Sequence, residues 1–341
     1  MNRKILIIAN YKPGTGGISG QVEKIHACLD AEGVENSIFS VKGSIWFRIK
    51  SFFKLFQTGR KYDVFHIHTC SHGGFISAVI GVTVGRRLKK RIVLTYHGGG
   101  GEAFFEKHTR LVKHFLLKTD TNIVLSGFLG KIFDKYDLPY VTIPNIIELD
   151  NSRFKQRKEL KPNFISIRSL EPLYNIECIL KAFAEVKKQI PSATLTVVGG
   201  GSQREELEHF AEENHIPDVI FTGRVDNSQI YNYLDRSDIM LSAPRIDNMP
   251  VSLLEAFNAG LLVISSNVGG VPYMIEDGKN GLLFESDNAG ELAEKMQQAV
   301  ANQVITKQMI QSAHQALDTY SWNSVKRKLF CVYGFCNNES F

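Results

Sequence analysis

No stretch of this 341-residue chain is both long and apolar enough to cross a bilayer. The longest such run, FISAVIGVTVG from Phe75, falls far short of the roughly 20 residues a spanning helix needs. The apolar run after the basic start MNRK stops before Asn10, too short for the core of a secretory signal. Cysteine is scarce too: Cys28, Cys70, Cys178, Cys331 and Cys336 are odd in number, scattered and without a CxxC pair. Neither a disulfide framework nor a zinc ribbon is therefore expected, and a reducing cytoplasm fits. The chain also lacks an aspartate-rich metal motif, a low-complexity tract, a solenoid repeat and any recognition-helix, RNA-binding or zinc-finger signature, so no metal and no nucleic acid is expected.

What is present is a 43% hydrophobic composition, enough at this length for two domains with separate cores. Charge is uneven. Residues 1–150 hold 21 Lys and Arg against 12 Asp and Glu, whereas the rest of the chain is acidic. A basic half draws anionic membranes or phosphorylated ligands. Apolar, β-branched runs at 4–9, 64–68, 91–97, 122–126 and 141–145 alternate with helical or glycine-rich stretches, and the pattern restarts at 164–169, 194–200, 219–223, 238–244, 261–267 and 281–284. Such alternation predicts two α/β domains, each a doubly wound parallel sheet of the Rossmann type. The charged segment 148–163 is the expected linker between domains 1–147 and 164–315, with a final segment 316–341. Ligands of such sheets sit beyond the carboxyl ends of the strands, and the expected site is a cleft between the domains.

Two loops and three histidines stand out. KPGTGGISG, with Gly14, Gly16 and Gly17, follows the first strand and opens a helix near Gln21, a layout that lets backbone amides approach an anion. The dinucleotide pattern GxGxxG is broken there and no acid ends the second strand, so no nicotinamide cofactor is expected. His66 and His68 share one strand face, and His97 leaves the next strand into the flexible glycine loop HGGGG as a candidate site residue.

PRIDNMPVSLLEAFNAG, residues 244–260, places Asp247 before Pro250 and Glu255 after it. Proline suits a first helical turn, so a helix is expected from Pro250 or Val251, with Asp247 in the preceding loop and Glu255 inside the helix. The pair is either a set of helix-capping and N-terminal acids or two ligand-holding groups.

In this order, KPGTGGISGQVEKI, DVFHIH, TYHG, VLSGFL, TIPN, LTVVGGGSQREEL, FTGRV and the block 243–284 resemble the family-four retaining glycosyltransferases of the GT-B fold, also described as bacterial-type group 1 glycosyltransferases. The resemblance runs over nearly the whole chain, and YSWNSVKRKLFCVYGF is similar to the family's last helix, which packs back on the first domain. It implies transfer of a hexose from a nucleotide sugar, with a uridine diphosphate donor favoured, to a glycan or lipid-linked acceptor in cell-surface polysaccharide synthesis. It further implies retention of configuration and no cofactor. The first domain would bind the acceptor and the second the nucleotide sugar. By resemblance Asp247 holds donor-sugar hydroxyls and Glu255 the ribose. Asn248, Met249, Pro250, Val251 and Ser252 present the helix start to the diphosphate. His97 positions the transferred sugar, Gly16 and Gly17 lie against phosphates or acceptor, and Val225 lies near the base. Where the family carries glutamate, this chain has Asp247, and Asn248 replaces a glycine. Where the family's phosphate-gripping arginine and lysine stand, this chain has Ser169 and Tyr174, leaving Arg168 and Arg245 as the candidate cations. Two alternatives remain: a sugar-nucleotide epimerase of the same fold, and a non-catalytic partner subunit.

GSIWFRIKSFFKLFQTGRK carries Ile45, Ile49, Phe52, Phe53 and Phe56 at helical spacing with Arg48, Lys50 and Lys54 between them. A basic amphipathic helix of this kind either packs on its own domain or lies in a membrane interface. With the basic first half, it supports peripheral contact through residues 45–56 at the inner face of the plasma membrane.

Overall fold

The computed structural model describes residues 3–14 and 17–336. The chain divides into two compact units, one running to Glu148 and resuming at Thr319, the other spanning Leu149–Asp318.

The first unit is built from β1 (Ile5–Ala9), α1 (Ile18–Ala31), β2 (Asn36–Ser40), α2 (Ile45–Thr58), β3 (Val64–Thr69), α3 (Ile76–Arg87), β4 (Arg91–Tyr96), α4 (Gly101–Lys107), α5 (Thr109–Leu116), β5 (Thr121–Val124), α6 (Gly127–Lys135) and β6 (Val141–Thr142). Its strands pair in parallel in the order β2-β1-β3-β4-β5-β6. β1 reads ILIIA and is buried throughout, as a central strand covered on both faces must be.

The second unit repeats the plan with β7 (Asn163–Ile167), α7 (Ile176–Gln189), β8 (Thr194–Val198), α8 (Arg204–Glu213), β9 (Val219–Gly223), α9 (Ile230–Leu234), β10 (Ile239–Ser242), α10 (Val251–Asn258), β11 (Leu262–Ser266), β12 (Leu282–Phe284), α11 (Ala289–Ala301) and α12 (Gln303–Ala316). Strand order is β12-β11-β10-β7-β8-β9, again parallel. Strand order reverses between β1 and β3 in one sheet and between β7 and β10 in the other. Those are the points where α/β sheets open a crevice for ligands.

The last helix, α13 (Trp322–Tyr333), belongs to the first unit. Val325, Leu329 and Val332 join Val22 and Ile25 of α1 in one core, and Arg91 Nε donates to the Val332 carbonyl at 2.6 Å.

Two expectations change. Of residues 148–163, read as a linker from their charge, all but Glu148 belong to the second unit. Arg157 is buried there, 2.7 Å from Asp238, and donates to the carbonyls of Leu234, Ser237, Ala259 and Gly260, the loose ends of α9 and α10. A cation at helix carboxyl ends meets the negative pole of both dipoles, which is why a charged segment packs inward. Cys331 and Cys336 are joined in a disulfide, against the expectation of unpaired cysteines. Gly334, with φ 82°, ends α13 in a left-handed turn and brings the chain back over a spacing that no CxxC pattern detects. Cys28, Cys70 and Cys178 are free.

Candidate functional site

In the second unit, β7 stops at Ile167, so Arg168 is not bound by strand alternation. Its position is fixed by the glycine loop after β8. The Arg168 N–H donates to Val198 O at 3.0 Å, and a Cβ on Gly199 would lie 1.8 Å from Arg168 O. That loop, VVGGG, is thus a close backbone approach that any side chain would push apart. The guanidinium, 11% exposed, sits 2.7 Å from Asp247 Oδ2 and 5.0 Å from the Tyr174 ring centre. The Arg168–Asp247 approach is an ion pair without hydrogen-bond alignment. Arg168 Nε and Nη2 and Asp247 Oδ2 are buried with hydrogen-bonding capacity unused among the described residues. Buried polar groups are almost always satisfied, and these lie beside the switch point of the second sheet. Burial pushes the Tyr174 phenol up, keeping it a neutral donor.

Asp247 is itself held on two sides. Its Oδ1 accepts from the Asn248 N–H at 2.7 Å, and its carbonyl accepts from Gly270 N at 2.9 Å. A Cβ on Gly269 would lie 2.0 Å from Asp247 O, so the NVGG stretch clamps the loop before α10. Pro250 occupies the cap position of α10 with Val251 as first helical residue, as its ring geometry favours. Asn248, Met249 and Pro250 are buried, Val251 and Ser252 half-buried, and Ser252 Oγ is buried without a partner among the described residues. Glu255 is half-buried within α10. Burial chiefly, with the Glu255 charge as a smaller contribution, pushes up the phenol of Tyr231, which bonds to Asn258 on the same helix. Val225 lies half-buried in the turn after β9.

Arg245 is engaged elsewhere. It donates to Asp287 Oδ1, Pro172 O and Asn175 Oδ1 and remains half exposed, so it ties the end of β10 to the turn at 172–175. Neither Asp287 nor Asn175 carried a signal in the sequence.

In the first unit, His66 and His68 of β3 are both 1% exposed. His66 bonds Thr95 Oγ1 and the Tyr333 hydroxyl, each at 2.8 Å, while His68 Nδ1 meets His97 Nε2 at 2.9 Å. Burial pushes His66 and His97 down to about 3 and His68 well below its ordinary value, so all three rings are neutral near pH 7. The glycine stretch does not leave His97 flexible: its N–H donates to Thr69 O at 2.8 Å, and a Cβ on the next residue, Gly98, would lie 2.6 Å from Ser71 Oγ. Gly17 caps α1 with φ 64°, whereas Gly16 lies outside the described residues. The loop before it is held by Glu23, whose Oε1 accepts from Gly14 N and Tyr11 OH.

On the outer face of the first unit, α2 turns Leu55, Phe52 and Phe56 toward the core and leaves Ile45, Trp46, Phe47, Ile49 and Phe53 exposed. Phe52, expected with Phe53 on one outward face, packs inward under Arg87. No helix among the described residues is long and apolar enough to cross a membrane.

Two family models match the chain: Glycosyltransferase Family 4 over residues 15–151, and Glycosyl transferases group 1 over residues 149–316. An α-monoglucosyldiacylglycerol synthase of Streptococcus pneumoniae is 27% identical over 287 residues, which is 73% of this chain and 63% of that protein. The chain therefore matches less than two thirds of that relative. Among solved structures, sucrose-phosphate synthase of Thermosynechococcus elongatus aligns with TM-score 0.82 at 17% identity, covering 97% of this chain and 98% of that one. The Anabaena HepE protein in complex with UDP aligns at 0.76 and 16% identity, covering 98% and 100%. The two parallel sheets of this chain, with their flanking helices, match the GT-B fold of these structures.

Proposed function

Because this chain belongs to the group 1 glycosyltransferases of family four, we propose that it transfers a hexose from a nucleotide sugar to a glycan or lipid-linked acceptor, with retention of configuration. The observation that carries this reading is Arg168, buried beside Asp247 at the switch point of the second sheet with donors unused. A departing diphosphate needs cations and amides fixed in advance, and Arg168 with the first amides of α10 supplies both. No metal is then required for that charge. Asp247 holds a donor hydroxyl, Glu255 the ribose, Ser252 a phosphate oxygen and Val225 the base. Tyr174 steadies Arg168 through its ring, and Arg245 sets the turn that carries Tyr174. In the first unit His97 meets the transferred sugar, and Gly16 and Gly17 lie against phosphate or acceptor.

The UDP bound to the Anabaena protein supports a uridine donor, and the name of the pneumococcal relative supports a lipid acceptor. A lipid acceptor agrees with α2, whose exposed Trp46, Phe47 and Phe53 stand among Arg48, Lys50 and Lys54. We place the protein at the inner face of the plasma membrane, in cell-surface polysaccharide or glycolipid synthesis.

The test is product analysis by NMR with a panel of UDP- and GDP-sugars, with and without membrane lipid extract and with EDTA. Transfer only with acceptor, α-linked from an α-donor and insensitive to EDTA, is expected. Free sugar released at full rate without acceptor would point to an epimerase, and no turnover of any donor to a non-catalytic subunit.

A further inference from the structure

The end of α13 carries the one disulfide among the described residues, between Cys331 and Cys336. The other three cysteines, Cys28, Cys70 and Cys178, are unpaired, so this bond is not part of a disulfide framework.

The backbone brings the two cysteines together without help from the bond. Gly334, left-handed with φ 82°, donates to Cys331 O at 2.9 Å, and Phe335 N donates to Phe330 O at 3.0 Å. Phe335 also sets its ring against Phe330, with centroids 5.2 Å apart. These two hydrogen bonds and the apolar contact are how a helix closes at a left-handed glycine. They leave the cysteine Cα atoms 4.8 Å apart, inside the span of a disulfide, so the bond forms and opens without the helix having to refold.

The residues between the cysteines tie α13 to the first sheet. Val332 O accepts from Arg91 Nε of β4 at 2.6 Å, and the Tyr333 hydroxyl meets His66 Nδ1 of β3 at 2.8 Å. Val332 and Tyr333 are buried, whereas Cys331 and Cys336 on either side of them are half-buried, within reach of a small thiol. In a compartment rich in such thiols, as at the inner membrane face proposed above, a reachable disulfide is open to exchange.

We propose that Cys331 and Cys336 form a redox latch on α13. Oxidised, their bond pins the turn that holds Val332 and Tyr333 against the sheet; reduced, that turn is left to its backbone bonds and ring contact. The co-reactant is a small disulfide such as oxidised glutathione. One cysteine thiolate attacks it, breaking its S–S bond, releasing one small thiol and leaving a mixed disulfide; the second cysteine then displaces the other small thiol as the Cys331–Cys336 bond forms. Two protein thiols are oxidised, one small disulfide is reduced, and the two protons leave on the released thiols. Excess small thiol drives the same steps backward. The latch does not depend on the reaction proposed for the protein.

The test uses the full chain in glutathione buffers running from reducing to oxidising. Alkylation of free thiols followed by mass spectrometry of the C-terminal peptide is expected to show the pair passing reversibly between dithiol and disulfide. The melting temperature of the first unit, read from Trp46 and Trp322 fluorescence, should fall by about 3–6 °C on reduction, the effect of opening a short closed loop. Cys331→Ser should give one melting temperature in both buffers. A pair that stays reduced in excess oxidised glutathione, or stays bonded in excess reduced glutathione, would overturn the latch. So would a wild-type melting temperature that reduction leaves unchanged, or a shift of the same size in Cys331→Ser. If that variant does not fold, the wild-type titration and melting still decide.

Discussion

The carboxyl ends of the two sheets are furnished in opposite ways. In the first unit His66, His68, His97, Thr95 and Tyr333 bond to one another, and burial keeps the rings uncharged. In the second, Arg168 and Asp247 face each other as ions with capacity to spare, and Asp247 stands in the loop just before α10. The same architecture fixes where ligands meet each sheet, and the side chains there decide what is met. A neutral, internally bonded cluster suits hydroxyls; a buried cation with unused donors suits phosphate.

The comparison breaks most visibly on the charged side. Arg168→Ala should lower turnover on the order of 10²- to 10³-fold, as loss of one preorganised charge-stabilising donor does, whereas Arg245→Ala should cost less than about tenfold because its guanidinium is already bound. Steady-state rates on the accepted nucleotide sugar decide it. A larger loss for Arg245→Ala would exchange the two roles.

Acid should break the neutral side first. An unfolded histidine takes up its proton near pH 6.5, while His66 holds off to about 3 and His68 also lies far below its ordinary value. The unfolded chain therefore binds more protons between those limits, and folding is weakened as pH falls below about 6.5, by about 1.4 kcal/mol per pH unit for each ring. Trp46 and Trp322, the chain's two tryptophans, both lie in the first unit, so their fluorescence in urea titrations at pH 7.5 and 5 isolates it. An unchanged midpoint would mean the rings are not held neutral.

Glu255→Ala should weaken nucleotide binding by about 10- to 100-fold, the worth of charged hydrogen bonds to two hydroxyls, with a smaller effect on kcat. Binding unchanged in calorimetry would remove the ribose assignment. The smallest effect expected is at the surface. Trp46→Ser with Phe53→Ser should reduce binding to phosphatidylglycerol vesicles about tenfold without changing the melting temperature, since both side chains are exposed. Normal vesicle binding would make α2 an ordinary solvent-facing helix.

The strand plan was legible from the sequence because parallel strands covered on both faces read as continuous apolar runs, and VIFTG at 219–223 matches β9 residue for residue. The start of α10 was legible from Pro250. Strand ends were not. β7 stops at Ile167 rather than Ser169 where Gly199 crowds the backbone of Arg168, a contact between residues distant in sequence, and it is this early stop that releases Arg168 from alternation. Arg157 looked like solvated charge because the helix ends it caps come from residues some 80 to 100 positions later. On α2 the helical period was right and the face was not. Phe52 and Phe56 turn inward, while Trp46 and Phe47, ignored by the pattern, stand exposed.

Calorimetric titration with UDP and with uridine shows whether the second unit holds a nucleoside diphosphate through Arg168. UDP is expected to bind wild type and to lose at least about tenfold in affinity on Arg168→Ala, the loss of a charged hydrogen bond, while uridine binds both proteins alike. UDP binding equal in the two proteins, or no UDP binding to wild type, would contradict the account.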